Sequence, residues 1–267
     1  MSIRGIKPPP VTVELLHKWL KAGRGSGEGK DYQPWLTAEK TLTMSHSGKK
    51  VCPLTGRELR SHLSDGEQGI FLGAIRDPNT IDTRENFPLS TVLTLKICDE
   101  MGVPHLGGND GTAFLPFTTD LLVTRKVPPK YVALTFKLRH VLKKPRDCTS
   151  LFVEHTYWSL FDVPFLVVTD VEVATNELIS LRWLCPAHLP QTRKGPTKKL
   201  IAEFYREAAE ADWSPPLMHV VRTISKKLKI DSGQGLELLK LLVWDGSIKC
   251  DLSRRITGDI CNAVNFD

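Results

Sequence analysis

The chain has 267 residues, with 36 lysines and arginines against 30 aspartates and glutamates, which gives a net charge of +6. Hydrophobic residues make up 41% of the chain and charged residues 25%, so the composition excludes a disordered or a fibrous protein. The length suits one large domain, or a catalytic domain with a small appendage. A small positive excess agrees with an anionic partner but identifies one only where the charges cluster.

The cysteines and the apolar segments exclude further classes of protein. The six cysteines stand at least eleven residues apart, so neighbouring thiols form neither a zinc ribbon nor a CxxC redox pair. The first ten residues include two basic residues and three consecutive prolines, which is unlike a signal peptide. Apolar runs such as residues 165–168 are too short to span a membrane. We therefore expect a cytoplasmic protein with reduced thiols and no membrane contact.

An amphipathic helix and a glycine-rich segment come first along the chain. Thr12 is the expected N-cap residue of the helix. The segment GRGSGEGKDYQPWL follows from Gly23, and it lacks the preceding strand, the following helix and the Gly-Lys-Ser/Thr ending of a phosphate-binding loop. We interpret this segment as a pliable exposed connector, in which Arg24 and Lys30 are candidates to contact DNA phosphates.

The middle of the chain alternates between helix and strand. A helix from Ser64 to about Ile75 contains three glycines, each of which costs up to ~1 kcal/mol relative to alanine, so we expect close packing there. A strand around residue 81 and a helix near residues 91–101 follow. The segments FTTDLLVTR, KYVALTFKL and PFLVVTD predict three strands, with a helix over residues 147–161 before the third. These elements predict an α/β fold, a mixed sheet with helices on its faces.

Beyond Asp170 the chain is predicted to be helical. The segments PPLMHVVRTISKKLKI and LELLKLLVW predict two helices joined by a turn at DSGQG, and a strand-like segment, SIKCDL, comes next. This order is typical of a helix-turn-helix followed by a β wing. Asp245-Gly246 is read as the end of the second helix. We therefore predict two domains, residues 1–170 and residues 171–267, the second of them a winged helix.

Two charged residues on neighbouring strands are the first candidates for chemistry. Asp120 lies in the middle of a predicted strand, and Lys137 lies on the next one. Such a pair is the core of a metal-dependent phosphodiesterase, since a carboxylate binds a hard divalent cation and an ammonium group positions water or stabilises the charged transition state. An ion pair exposed on one face of the sheet explains the same two residues.

Glu67 allows two interpretations. Ser64-Asp65-Gly66-Glu67 has the spacing of a capping box, in which the glutamate accepts a hydrogen bond from the Ser64 main-chain N–H. Glu67 is also placed to complete a site with Asp120. Periodicity does not separate these roles, although the glycines around Glu67 favour a site at which a bulky backbone comes close.

Several long motifs occur together in one order. The segments GRGSGEGKDYQPWL, LSDGEQGIFL, DTRENFPL, FTTDLLV, ALTFKL, and EHTYW followed by PFLVVTD resemble TnsA, the endonuclease subunit of heteromeric Tn7-like bacterial transposases. The resemblance runs from about Gly23 to Asp170 and is looser in the helical C-terminal part. Several motifs in one order are more specific than any one of them.

The resemblance implies a fold, an activity and partners. Residues 1–170 would adopt a restriction-endonuclease-like fold, and residues 171–267 a winged-helix domain that docks onto DNA or a partner. The implied activity is Mg²⁺-dependent cleavage of double-stranded DNA at the 5′ ends of a transposon, with Mn²⁺ as a substitute. A TnsB-like transposase would cut and join the 3′ ends, and a TnsC-like AAA+ ATPase would bind the C-terminal region. The implied compartment is the bacterial cytoplasm.

The resemblance also assigns residues. The family's catalytic acid, strand aspartate and lysine fall on Glu67, Asp120 and Lys137. Two residues before the lysine the family usually has glutamine, where this chain has Thr135. The metal would then depend on Glu67, Asp120, a backbone carbonyl and the Thr135 hydroxyl, with a lower affinity. Glu154 falls on an acidic position of the family, but we interpret it as an exposed helix residue.

Two further groups of residues complete the sequence-based predictions. His155 and the neighbouring Trp158 are expected in the core between helix and sheet. Lysines at the end of the first predicted C-terminal helix are candidates to bind DNA phosphates or the acidic surface of the ATPase partner. These lysines are Lys226, Lys227 and Lys229.

Two functional hypotheses follow. The leading one is a divalent-metal endonuclease acting at transposon ends. The second is an adaptor without catalytic activity that bridges the transposase and the ATPase, and the departure at Thr135 keeps it open. A stand-alone restriction or repair nuclease is disfavoured, because it needs neither the N-terminal motif nor the C-terminal helices.

Overall fold

The computed structural model describes residues 11–37, 51–59, 63–107, 113–185, 196–253 and 264–265. The chain divides into two compact units, the first made of residues up to 70 and 79–169, the second of residues 71–78 and from 170 onward. Residues 71–78 therefore belong to the second unit, although the predicted boundary near residue 170 places them in the first domain. The helices are α1 Val13–Lys21, α2 Asp65–Arg76, α3 Thr91–Glu100, α4 Pro145–Ser159, α5 Thr175–Leu184, α6 Lys198–Ala209, α7 Leu217–Leu228 and α8 Ser232–Trp244. The strands are β1 Thr80–Pro88, β2 Thr118–Arg125, β3 Tyr131–Phe136, β4 Phe165–Val168, β5 Lys249–Cys250 and β6 Val264–Asn265.

The first unit is built on a four-stranded mixed sheet in the order β1-β2-β3-β4. β1 pairs with β2 and β2 with β3 in antiparallel fashion, and Leu121 lies opposite Leu134. β3 and β4 are parallel, with Ala133 opposite Phe165. Helices α3 and α4 contribute Ile97 and Val153 to the apolar core beside the sheet. The predicted α/β architecture is confirmed.

Helix starts follow the capping rules. The Thr12 hydroxyl accepts a hydrogen bond from the Leu15 N–H at 3.3 Å, as expected for the N-cap of α1. The Ser90 hydroxyl accepts from the Leu93 N–H at the start of α3. Because these bonds join residues three positions apart, the local sequence is sufficient to predict them.

Helix α4 corrects one sequence-based expectation. His155, which was predicted to be buried, is exposed, and so is Phe161 just beyond the end of the helix. The buried residues of α4 are Val153, Glu154, Tyr157 and Trp158. The predicted burial of Trp158 is confirmed, whereas Glu154 is buried in place of His155, and adjacent helix positions point about 100° apart. As a result, a carboxyl group lies where an imidazole was expected.

The glycine-rich segment after α1 is folded, so its interpretation as a pliable connector is wrong. The Gly25 N–H donates to the Gln33 carbonyl at 2.6 Å, and the Gln33 N–H donates to the Ser26 carbonyl at 3.0 Å. Gly25 has a left-handed φ of +78°, and a Cβ at this position would overlap the ring of Pro88 in β1. Glycine is required here both by the backbone conformation and by the close approach to the strand.

A buried ion pair lies beneath this segment. The Arg57 guanidinium donates to both carboxylate oxygens of Glu85 at 2.6 Å, and the two side chains are 4% and 0% exposed. Arg57 also donates to the carbonyls of Thr83 in β1 and Gly29 in the glycine-rich segment. The Tyr32 hydroxyl donates to the Glu85 carbonyl. These bonds compensate the two charges for the loss of water and tie three separate segments together.

A short connection joins helices α7 and α8 of the second unit, and it is shorter than the turn predicted from the sequence. Lys229 ends α7 in the left-handed conformation, and Asp231 caps α8 by accepting from the N–H groups of Gly233 and Gln234. The DSGQG sequence is therefore the start of α8 rather than the turn between the helices. A Cβ at Gly235 would overlap the Ser225 hydroxyl, so glycine permits the close packing of α7 on α8.

A two-stranded antiparallel ladder of β5 and β6 follows α8. Asp245 is the C-cap residue of α8 and Gly246 has a φ of +81°, which confirms the predicted helix end. The order of elements is the one that a winged helix requires, and that assignment stays a prediction. In the described residues no helix has the length and apolar character needed to cross a membrane.

Arg57→Ala should destabilise the first unit by about 3–5 kcal/mol, because it leaves the Glu85 carboxylate buried without a cation. The double variant Arg57→Met with Glu85→Leu should lose less, since it removes both charges and keeps apolar volume. Urea denaturation followed by circular dichroism measures the free energy of unfolding. A double variant that is less stable than Arg57→Ala would contradict the ion-pair assignment.

Candidate active site at the ends of β2 and β3

Asp120 and Lys137 lie beside each other, as the sequence predicted. The Asp120 side chain is 12% exposed, and its Oδ2 accepts a hydrogen bond from the Phe136 N–H at 2.8 Å. The Lys137 Nζ lies 3.8 Å from the same oxygen. The Lys137 N–H donates to the Val168 carbonyl of β4 at 2.9 Å, which holds the lysine backbone in the sheet. A buried carboxylate and a half-buried ammonium group therefore meet at one end of the sheet.

Helix α2 begins against the same strand. A Cβ on Gly66 would overlap the Phe136 ring, so the expected close packing at the α2 glycines is confirmed at Gly66. The Glu67 Oε2 accepts from the Ser64 N–H at 2.5 Å, and the Ser64 hydroxyl accepts from the Glu67 N–H at 3.3 Å. The predicted capping box is present, and it occupies the carboxylate that the resemblance assigns to the metal.

Glu154 is the site residue that the sequence interpretation placed wrongly. It was expected to be exposed, but it is buried, with 4% of its surface exposed. Its Oε2 accepts hydrogen bonds from the Thr135 hydroxyl at 2.8 Å and the Thr119 hydroxyl at 3.2 Å. The Trp158 Nε1 donates to the Thr119 hydroxyl at 2.8 Å, which fixes that hydroxyl. Helix α4 thus presents a second buried carboxyl group to β2 and β3.

The two carboxyl groups have raised pKa values. Burial raises the pKa of Asp120 to about 6; the Lys137 ammonium opposes this rise and the Glu67 carboxylate adds to it. Burial raises the pKa of Glu154 to about 8; the hydrogen bond from Thr135 opposes this rise and the Asp120 carboxylate adds to it. Ionisation of both carboxyls would place excess negative charge at this site, because one nearby ammonium group faces two buried carboxyls and Glu67.

The donor set fits a hard divalent cation but not a closed metal cage. No cluster of three or more acidic, histidine or cysteine ligands occurs in the part of the chain that the structure describes. Mg²⁺ is commonly bound by one or two carboxylates, with waters and substrate phosphates completing the shell. Asp120 and Glu154 supply such carboxyls. The Thr135 hydroxyl donates its proton to Glu154. Its oxygen keeps two lone pairs, which are able to bind a cation.

The other predicted contact residues lie elsewhere. The Arg24 guanidinium donates to the Trp35 carbonyl at 3.2 Å and lies over the Trp19 ring at 4.6 Å, so it helps to hold the glycine-rich segment. Lys30 is exposed. The lysines at the end of α7 belong to the second unit, and Lys227 pairs there with Glu207 at 2.9 Å.

The raised pKa of Glu154 has a consequence for stability. Because its pKa of about 8 in the folded chain exceeds its ordinary value of 4.5, the folded state binds this proton more tightly than the unfolded state. The stabilising contribution is complete below the ordinary value and is lost as pH rises through the folded one. The Tm of the metal-free protein should therefore fall between about pH 5 and about pH 8.5.

Glu154→Gln should flatten this fall, since glutamine has no proton to lose. Scanning calorimetry in EDTA measures the Tm at each pH. The matched control Glu100→Gln changes an exposed glutamate of α3 and should keep the wild-type dependence. Identical slopes for wild type and Glu154→Gln would show that Glu154 does not carry the effect.

Comparison with known proteins agrees with this geometry. Residues 77–170 match the family model described as TnsA-like endonuclease N terminal. The chain is 27% identical over 247 residues to the Escherichia coli protein named transposon Tn7 transposition protein TnsA, covering 91% of this chain and 87% of that protein. The resemblance inferred from the motifs is confirmed: residues 77–170 match a TnsA-like endonuclease model, and the chain is similar to a TnsA protein over most of its length.

Proposed function

We propose that the chain hydrolyses a phosphodiester bond at the 5′ ends of a transposon with the help of a divalent cation. The observation that carries this proposal is the buried Asp120 carboxylate with the Lys137 Nζ at 3.8 Å. The similarity to a transposition protein and to an endonuclease family supports DNA as the substrate. A TnsB-like transposase would act on the 3′ ends, and a TnsC-like AAA+ ATPase would bind the second unit through Lys226, Lys227 and Lys229.

Asp120 would hold the cation together with Glu154, and the Thr135 hydroxyl, which donates to Glu154, would add an oxygen ligand. Glu67 would join them if its carboxylate left the Ser64 N–H. Mg²⁺, or Mn²⁺ in its place, would neutralise charge on the scissile phosphate and lower the pKa of a bound water. The raised pKa values of Asp120 and Glu154 support this assignment, since a divalent cation would favour the ionised form of both carboxyls.

Lys137 has a separate task in this proposal. Its backbone is held by Val168, and its side chain points toward Asp120. An ammonium group at this position orients the attacking water or stabilises the negative charge that develops on the phosphate. Arg24 and Lys30 would contact DNA phosphates other than the one that is cut. Lys30 would be the stronger contact, because the Arg24 guanidinium also donates to the Trp35 carbonyl within the glycine-rich segment.

Two observations favour the alternative function, an adaptor without catalysis that bridges transposase and ATPase. The Glu67 carboxylate is engaged in its own helix cap, and the Thr135 hydroxyl is engaged with Glu154. A chain that had lost cleavage would keep both bonds for stability alone. Mapping of DNA breaks on each strand separates the two functions.

Lys137→Ala should lower cleavage at the 5′ ends by roughly 10²–10³-fold, the usual cost of removing one group that stabilises transition-state charge. The reaction contains the chain, its partner transposase, Mg²⁺ and donor DNA, and sequencing gels locate the breaks. The control Lys96→Ala removes an exposed lysine of α3 and should leave the breaks unchanged. Wild-type reactions with 3′ breaks and no 5′ breaks would establish the adaptor instead.

The two roles of Glu67 are separable by a pair of variants. Glutamine serves in a capping box as well as glutamate does, so Glu67→Gln should keep the stability of α2 while it removes the negative charge. Ser64→Ala removes the capping hydroxyl and should cost about 1 kcal/mol of stability. If Glu67 binds the cation, Glu67→Gln loses 5′ cleavage and Ser64→Ala retains it. Full cleavage by Glu67→Gln would leave Glu67 with the cap alone.

A further inference from the structure

A strongly basic segment joins two elements of the candidate active site. Of the ten residues from Lys137 to Arg146, five are lysine or arginine, one is His140, and none is acidic. The segment starts at the Lys137 ammonium beside Asp120. It ends in the first turn of α4, the helix that carries Glu154. We call residues 137–146 the basic loop.

The basic loop is ordered, and its charges point outward. A short 3-10 helix, Val141–Lys143, is closed by the Val141 N–H donating to the Leu138 carbonyl and the Lys144 N–H donating to the Val141 carbonyl. The Cys148 thiol donates to the Leu142 carbonyl at 3.0 Å and ties the loop to α4. The charged side chains after Lys137 are all exposed, namely Arg139, His140, Lys143, Lys144 and Arg146.

The stability of the fold does not explain these charges. In the described part of the chain, Lys143, Lys144 and Arg146 form no ion pair with a carboxylate, including that of the adjacent Asp147. They stand at the N-terminal end of α4, where the helix dipole disfavours positive charge. Three cations concentrated there cost stability, so an anionic ligand is the simpler reason for their presence.

We propose that the basic loop binds the phosphate backbone of duplex DNA next to the phosphate that is cut. This inference rests on the proposed function, because it takes the reacting phosphate to lie at Asp120 and Lys137. From Lys137 to Lys143 the chain reaches at most about 22 Å. At 3.4 Å of helix axis per phosphate on each strand, that is about six base pairs of duplex. The loop therefore contacts DNA that flanks the cleavage point.

Continuity with the active site favours DNA over an acidic protein as the occupant. Any duplex whose phosphate reaches Lys137 carries further phosphates on both sides of it, and the basic residues of the loop follow Lys137 directly in the chain. Lysine and arginine contacts of this kind position the duplex and read no bases. The loop then sets where along the DNA the enzyme rests, and the partner transposase sets which sequence is chosen.

The test measures DNA binding without cleavage. Fluorescence anisotropy of a labelled duplex carrying a transposon end, in EDTA and at several salt concentrations, gives the slope of log K against log salt. The triple variant Lys143→Gln, Lys144→Gln and Arg146→Gln should make this slope about 2–3 less negative. The control Lys96→Gln, Lys198→Gln and Lys199→Gln removes the same charge from exposed positions outside the loop and should retain the wild-type slope.

Equal slopes for the two triple variants would overturn the inference. So would an unchanged DNA slope together with lost binding of the variant to the partner transposase, since the loop would then serve a protein. Circular dichroism checks that both triple variants fold. If the loop variant does not fold, the single variant Lys143→Gln replaces it, with an expected change in slope of about 1. If the wild-type protein makes no 5′ breaks, the proposed function is wrong. The salt dependence of DNA binding is measured without cleavage, so it tests the basic loop independently of that result.

Discussion

The backbone and ring of Phe136 connect the parts of the candidate active site. Its N–H binds the Asp120 carboxylate at 2.8 Å, and its ring occupies the space that a side chain on Gly66 would fill, at the start of the helix carrying Glu67. The next residue is Lys137. One position in the sheet therefore sets the placement of the carboxylate, the ammonium group and the α2 N-terminus. The close approach of the Phe136 ring explains why Gly66 lies within α2, although glycine destabilises a helix by about 1 kcal/mol relative to alanine.

Buried carboxyl groups occur in two different electrostatic settings in this unit. Glu85 is fully buried, and the Arg57 guanidinium balances it with two short hydrogen bonds. Glu154 is nearly as deeply buried, but it accepts its hydrogen bonds from the hydroxyls of Thr135 and Thr119. The first arrangement is complete within the protein and holds the N-terminal segment on β1. In the second, burial raises the pKa of the carboxyl group to about 8, so negative charge is disfavoured there, and a site with that property is suited to a cation and to chemistry.

Some of the site was accessible from the sequence. Asp120 in a strand interior and Lys137 on the next strand are unusual enough to be noticed, and the capping box at Ser64 is a local pattern. Glu154 was missed because adjacent helix positions differ by about 100° around the axis, and the aromatic content around His155 favoured the wrong face. A stripe through Val153 and Tyr157 would have found it. The basic loop is also visible in the sequence, but its place beside Asp120 is not.

By itself, the sequence determined the order and type of most elements, the helix caps, the αβ character and the resemblance to TnsA. These depend on periodicity, on motifs and on hydrogen bonds between residues a few positions apart. The tertiary structure decided that the glycine-rich segment folds onto β1, through a bond from Gly29 to Asp82 across 53 positions. It also decided that Glu154 meets Thr135, 19 positions away. Such contacts follow from how strands and helices pack, which no local pattern encodes.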